Sequence, residues 1–354
     1  LLILFALIPY VFIYGLRKRN NIIIIAYLII FCFTFTFSTR HPNLNLLQII
    51  KTFLGITLSW TLLNLHWDKK LISKSLLSII WLPSISIGVG IILHLLEIRS
   101  AFDIEYTGAL RLQGANIAPH LAMLAFIGFA VAICEYLRTK NRFSFAMGII
   151  NFVIIIFTGT RGAMLATIFL IMTFFYSQVR KVLTFNKSGL FSMVLFMVIT
   201  IGIVVIYFPH IEKRMAGTVF ESNFNTSGRI EAWRYFIGEG SENILFGRGL
   251  GAGTVANQGE VRGGFRVPHN EYIRMYVEGG VIGTLLLLSG FFSVFKEIFR
   301  TIVPEERLCF LALILGFALY SFTDNTLSTT QFSIPFAWYL AVLSSRIESR
   351  EQDD

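Results

Sequence analysis

Residues 121–134 read Leu121-Ala122-Met123-Leu124-Ala125-Phe126-Ile127-Gly128-Phe129-Ala130-Val131-Ala132-Ile133-Cys134, an unbroken apolar run inside a longer stretch, 114–137. Arg138, Lys140 and Arg142 follow it directly. A helix needs about 20 apolar residues to cross a hydrocarbon core of about 30 Å, and this stretch has that length. It lacks the strict alternation of a barrel strand. Ten more stretches of the same character lie at 1–16, 21–38, 44–64, 71–96, 143–159, 162–179, 188–207, 279–295, 307–323 and 331–345. With 55% hydrophobic and 14% charged residues, the composition excludes a water-soluble globule. The sequence predicts an all-α integral membrane protein, one polytopic bundle of about 11 spans over 1–354. The chain opens Leu1-Leu2-Ile3 inside an apolar run, so the N-terminus reads as truncated within its first span, not as a signal peptide.

Charge then orients the bundle. Basic residues gather in alternate connectors: Arg17-Lys18-Arg19, Lys69-Lys70 with Lys74, Arg138 to Arg142, and Arg180-Lys181 with Lys187. Such connectors stay on the cytoplasmic side. The others then face outward: 39–43, 97–112, the turn at Arg161, a long polar segment 208–277, and Asp324-Asn325. The net charge of +9 is accounted for by this topology, which leaves no basic surface for nucleic acid. Cys32, Cys134 and Cys309 all fall within spans, and none has metal-ligand spacing. Neither a disulfide framework nor a structural zinc site is expected.

The segment 208–277 is too long for a turn and reads as a structured outer loop. Asn225-Thr226-Ser227-Gly228 is a helix-start signal, with Glu231 where a carboxylate suits the helix dipole. Ala232, Trp233, Phe236 and Ile237 then fall at helical spacing. The run Gly247-Arg248-Gly249-Leu250-Gly251-Ala252-Gly253 fits a dinucleotide fingerprint, but neither a strand nor a βαβ unit surrounds it. It is expected to be a flexible loop or a backbone turn under a ligand. A second helix is expected to begin near Pro268, with Arg274 and Glu278 four apart.

Within and beside this loop stand the residues that can carry chemistry. His269 can accept a proton from a hydroxyl near neutral pH, or simply bond to backbone or water. Asn270 and Glu271 adjoin it, and Arg262 and Arg266 precede it. Arg229 stands at the first turn of the loop helix, and Arg161 sits in the tight turn Thr158-Gly159-Thr160-Arg161-Gly162. Guanidinium groups bind phosphate oxygens in bidentate fashion and keep their charge; snorkelling to lipid headgroups is the alternative for Arg262 or Arg274. Asp103-Ile104-Glu105 can share a divalent ion or be a solvated loop. Because the outer loop has no Asp and no Cys, no Ser-His-Asp or Cys-His arrangement is expected.

Five motifs occur in order: Gly159-Thr160-Arg161-Gly162, Ser227-Gly228-Arg229 with Trp233, Gly247-Arg248-Gly249-Leu250-Gly251, His269-Asn270-Glu271-Tyr272, and Glu278-Gly279-Gly280-Val281-Ile282-Gly283. The succession resembles the O-antigen ligase and O-antigen polymerase superfamily over about 150 to 290, and more weakly at Arg111 to Pro119. At the latter site the family often has a Pro-Asn pair, whereas Ala118-Pro119-His120 stands here, so no function is placed on it. The resemblance implies a bacterial inner-membrane enzyme whose large loop and active site face the periplasm. It implies a glycan donor linked to undecaprenyl diphosphate, a glycan or glycolipid acceptor, contact with membrane lipids, and no cofactor or metal. Arg161 and Arg229 would hold the diphosphate, His269 would activate the acceptor hydroxyl, and Arg262, Arg266, Asn270 and Glu271 would bind substrate. A ligase acting on lipid A core and a polymerase joining lipid-linked repeat units share these features. A lipid-linked sugar transporter, the competing class, should show internal repeats and midplane binding groups; no repeat stands out here.

Overall fold

The computed structural model describes residues 22–65, 67–104, 108–183, 187–215, 229–257 and 266–351. The helices are α1 (Ile22–Phe37), α2 (Leu46–Trp60, continued by a 3-10 turn Thr61–Asn64), α3 (Lys69–Leu95), α4 (Ala118–Thr139), α5 (Arg142–Thr158), α6 (Arg161–Leu183) and α7 (Lys187–Met215). They continue with α8 (Arg229–Ser241), the single turn α9 (Ala252–Val255), α10 (Glu271–Thr301), α11 (Pro304–Thr323) and α12 (Thr330–Glu351). Six helices among the described residues are long and apolar enough to cross a membrane, and Ile22–Phe37, Arg142–Thr158 and Gly189–Gly202 are shorter apolar helices. The protein is an all-α, multi-pass membrane protein. The expected span 1–16, the start signal at 225–228, Glu105 and Arg262 lie outside the described residues.

The chain divides into two compact units. The first comprises 1–75, 226–302 and 321–354, and the second 76–225 and 303–320. In the second, α4 is almost wholly buried. Small residues let its neighbour approach, since a side chain on Gly128 would meet Asn151 of α5. Interlocked rings of Phe145, Phe174 and Phe196 pack around it. In lipid this tight packing, rather than expulsion of water, holds helices together. Cys134 and Cys309 form a disulfide between α4 and α11. That corrects the expectation of unpaired cysteines: the two lie 175 residues apart, and only the packing of their helices brings them together.

The sequence presents the segment 97–113 only as an outward-facing connector. It contains a short antiparallel hairpin, β1 (Phe102–Ile104) with β2 (Leu110–Leu112), in which Asp103 faces Arg111.

In the first unit, α10 packs on α1 through Gly279, Gly283 and Gly290, whose small faces meet Ile30 and Ala26. Trp60, Phe291 and Phe336 form an edge-to-face aromatic cluster behind them. The helix starts at Glu271, close to the start expected near Pro268, and runs on into the span expected from 279, its polar first turns being paired internally. Arg274 binds Glu271, and its Nη1 donates to Glu278 at 2.6 Å; all three side chains are almost fully buried. Helix α7 runs on to Met215, so both ends of the segment 208–277 are helical.

Gly280 interrupts α10 with φ 64° and ψ −166°. A broken helix exposes backbone groups that cost several kcal/mol each if left unpaired in lipid. Here the segment 244–249 pairs with them. Arg248 and Gly249 N–H donate to the carbonyls of Val277 (2.7 Å) and Glu278 (3.1 Å). Val281 and Ile282 N–H donate to those of Ile244 (2.8 Å) and Leu245 (3.2 Å). The glycine run is therefore a buried clasp, not a flexible loop. Gly280→Ala should destabilise the protein by about 3 kcal/mol or more, combining backbone strain with overpacking, because its Cβ would press on Leu245 O and stand 2.6 Å from Phe246 N. Thermal unfolding in detergent measures this; an unchanged midpoint would show that the kink relaxes.

Candidate functional site

The polar end of the first unit gathers three segments: the start of α8, the turn before α10, and the connector from α11 to α12. Helix α8 seats itself through Ala232 and Phe236, which join Ala252, Ala256 and Val277 in a small core. Ile237, expected on that face, is exposed instead. One turn into α8, Trp233 donates its indole N–H to Pro268 O at 2.8 Å, and its ring meets Phe322 edge-on. Arg229 donates from Nη1 to Thr323 O at 2.8 Å, capping the last turn of α11. The loop helix is thus tied both to the turn that carries His269 and to the end of α11.

His269 has φ 46°, a left-handed conformation uncommon for a residue with a side chain. Its neighbours hold it there. Pro268 is buried against Trp233, and Asn270 caps α10, with Oδ1 accepting from Tyr272 N (3.0 Å) and Ile273 N (3.1 Å). The imidazole Nδ1 lies 3.0 Å from Asp324 Oδ1, and the side chain is 32% exposed.

Burial pushes the Asp324 carboxyl upward. The hydrogen bond and charge of His269, the N–H of Asn325 and the charge of Arg229 outweigh it, and the group lies below its ordinary value. An ionised carboxylate only accepts hydrogen bonds. Nδ1 therefore carries the proton, and Nε2 is the basic nitrogen.

Asn270 and Glu271 were expected to touch substrate. Both are buried, and their side chains are engaged within the fold. Asn270 is the cap just described. Glu271 pairs with Arg274 and accepts Leu327 N–H at 3.1 Å, which registers the His269 turn against the connector carrying Asp324. Arg266 is exposed at the rim.

In the second unit, Arg161 opens α6 directly after the turn Thr158-Gly159-Thr160, as the sequence predicts. Gly159 takes φ 61° and caps α5. The structure thus brings His269 and Arg229 together, and sets Asn270 and Glu271 beneath them. Sequence reasoning missed Asp324, because an Asp partner for the His was sought only within the outer loop. The available signal was that charge alternation puts Asp324-Asn325 on the same side.

Residues 145–288 match the family model described as O-antigen ligase. The match takes in Arg161, Arg229 and His269 and stops short of Asp324. No curated protein matches the chain.

Proposed function

We propose that this chain is a membrane glycosyltransferase of the O-antigen ligase and polymerase superfamily, whose family model its residues 145–288 match, and that it transfers a glycan from undecaprenyl diphosphate to an acceptor sugar hydroxyl on the periplasmic face. The observation that carries this reading is the 3.0 Å contact between His269 Nδ1 and Asp324 Oδ1 beside Arg229. It gives a base whose orientation and tautomer are fixed next to a cation suited to an anionic leaving group.

The acceptor oxygen attacks the anomeric carbon, forming a C–O bond as the bond to the phosphate oxygen breaks. His269 Nε2 takes the hydroxyl proton, and the bonding pair leaves with undecaprenyl diphosphate. Asp324 offsets the positive charge that appears on the imidazole. Arg229 stabilises the negative charge that builds on the diphosphate, a role a metal fills in other transferases; Arg161 is assigned to the donor from its motif alone. Asn270 and Glu271 act by fixing the turn, and exposed Arg266 meets the incoming sugar or headgroup. Lipid A core is the acceptor in the ligase form of this reaction. A second lipid-linked repeat unit would make the same chemistry a polymerisation.

Inner-membrane vesicles loaded with lipid-linked donor test the reading. Right-side-out vesicles should glycosylate lipid A core supplied from outside. Product from inverted vesicles alone would reverse the facing; longer lipid-linked chains would favour polymerisation; no product in either orientation would sink the transferase assignment.

A further inference from the structure

The outer hairpin 97–113 has no part in the reaction just described, yet it places a nearly buried arginine against the turn that ends in Arg161. Arg111 lies on β2. Its Nε donates to Thr158 O at 2.8 Å, and its Nη2 to Thr160 Oγ1 at 3.2 Å. Thr158 is the last residue of α5, so its carbonyl is one of the helix-end acceptors that the helix itself cannot satisfy. The guanidinium fork therefore grips both ends of the Thr158-Gly159-Thr160 turn.

The remaining groups of that turn are engaged as well. Thr158 Oγ1 donates to Ile155 O at 2.7 Å, Thr160 N–H reaches Thr158 Oγ1 at 3.3 Å, and Gly159 N–H reaches Ile156 O at 2.8 Å. At its base the hairpin is itself held firmly. Ala115 N–H donates to Ser86 O at 2.9 Å, Asn116 Nδ2 to Ser86 Oγ at 2.8 Å, and Arg99 to the carbonyls of Ala115 and Asn116. A side chain on Gly114 would collide with Ser86 O at 2.9 Å, so the hairpin sits hard against α3.

We propose that Arg111 is a positioning residue for donor binding: from the anchored hairpin it sets the turn that aims Arg161 at the lipid-linked diphosphate. This rests on the assignment of Arg161 made above. An arginine suits the task because its planar fork spans two acceptors at fixed separation, which an ammonium group does not. A shift of about 1 Å in a binding group can reduce rate by about a hundredfold, so the effect should travel through Arg161 alone.

The test uses full-length protein in detergent, with undecaprenyl diphosphate as the binding probe and the transfer assay alongside. Arg111→Ala should weaken diphosphate binding by about ten- to hundred-fold, raise the donor KM and change kcat less. Arg111→Lys should rescue poorly, and Thr160→Val should show a smaller defect in the same direction. The Arg111→Ala, Arg161→Ala double variant should bind no worse than Arg161→Ala. Additive losses, or a loss confined to kcat with binding intact, would overturn the proposal. If Arg111→Ala fails to fold, the Lys and Val variants decide: wild-type binding in both defeats it. Should Arg161→Ala itself leave diphosphate binding unchanged, the donor-site assignment fails first. If Arg161→Ala weakens binding and Arg111→Ala does not, the positioning role alone fails.

Discussion

His269→Ala should slow transfer by about 10²–10⁴-fold, the range for removing a general base, while leaving affinity for undecaprenyl diphosphate near that of the wild type. The imidazole is oriented by Asp324 at 3.0 Å, and the diphosphate is assigned to the arginines, so the two losses should separate. Asp324→Asn should lower kcat in the same direction. A neutral amide no longer enforces the Nδ1–H tautomer, and it removes the charge that stabilises the protonated ring. The two substitutions should be far from additive, because Asp324 acts through His269. Raising the pH should restore part of the His269→Ala activity, since solvent can then deprotonate the acceptor. Normal turnover at saturating donor, with donor binding lost, would make His269 a diphosphate ligand and end its assignment as base.

Arg161→Ala and Arg229→Ala should each reduce transfer by at least about 10²–10³-fold, the scale of removing one preorganised donor from a developing charge, and abolish it in practice. The loss should fall on the donor: weaker diphosphate binding together with slower turnover. Lysine at either position should rescue poorly, because it loses the bidentate fork. Arg229 carries a second task, since its Nη1 caps Thr323 O beside Asp324. Arg229→Lys should therefore also disturb the pH profile set by His269, whereas Arg161→Lys should not. Equal donor affinity in wild type and both alanine variants would remove the arginines from the diphosphate site.

The bundle was legible because lipid imposes a length and a composition on every crossing, and the run at 121–134 satisfies both. Legibility failed where polar groups answer one another inside the protein. Glu271, Arg274 and Glu278 look hydrophilic to any window average, yet together they form a buried triad. Asp324 was overlooked because its partner lies 55 positions away, across two helices. The cysteines paired for the same reason, through helix packing rather than spacing. Asn270 was expected to touch substrate, although an Asn directly before a helix is a local capping signal. Gly280 carried a signal that sequence could not decode. A glycine inside a span reads equally as a packing face or as a break, and only the carbonyls of Val277 and Glu278, which accept from the N–H groups of Arg248 and Gly249, decide between them.

The pairing of His269 with Asp324 has a consequence for biosynthesis. Histidine leaves the ribosome just before α10, and aspartate just after α11. The hydrogen bond between them can form only once the chain has gone through the bilayer and come back. Until that return is complete, the nascent enzyme holds an imidazole with no carboxylate to fix its proton. The proposed base is thus completed late in translation, and only in a chain that has inserted correctly.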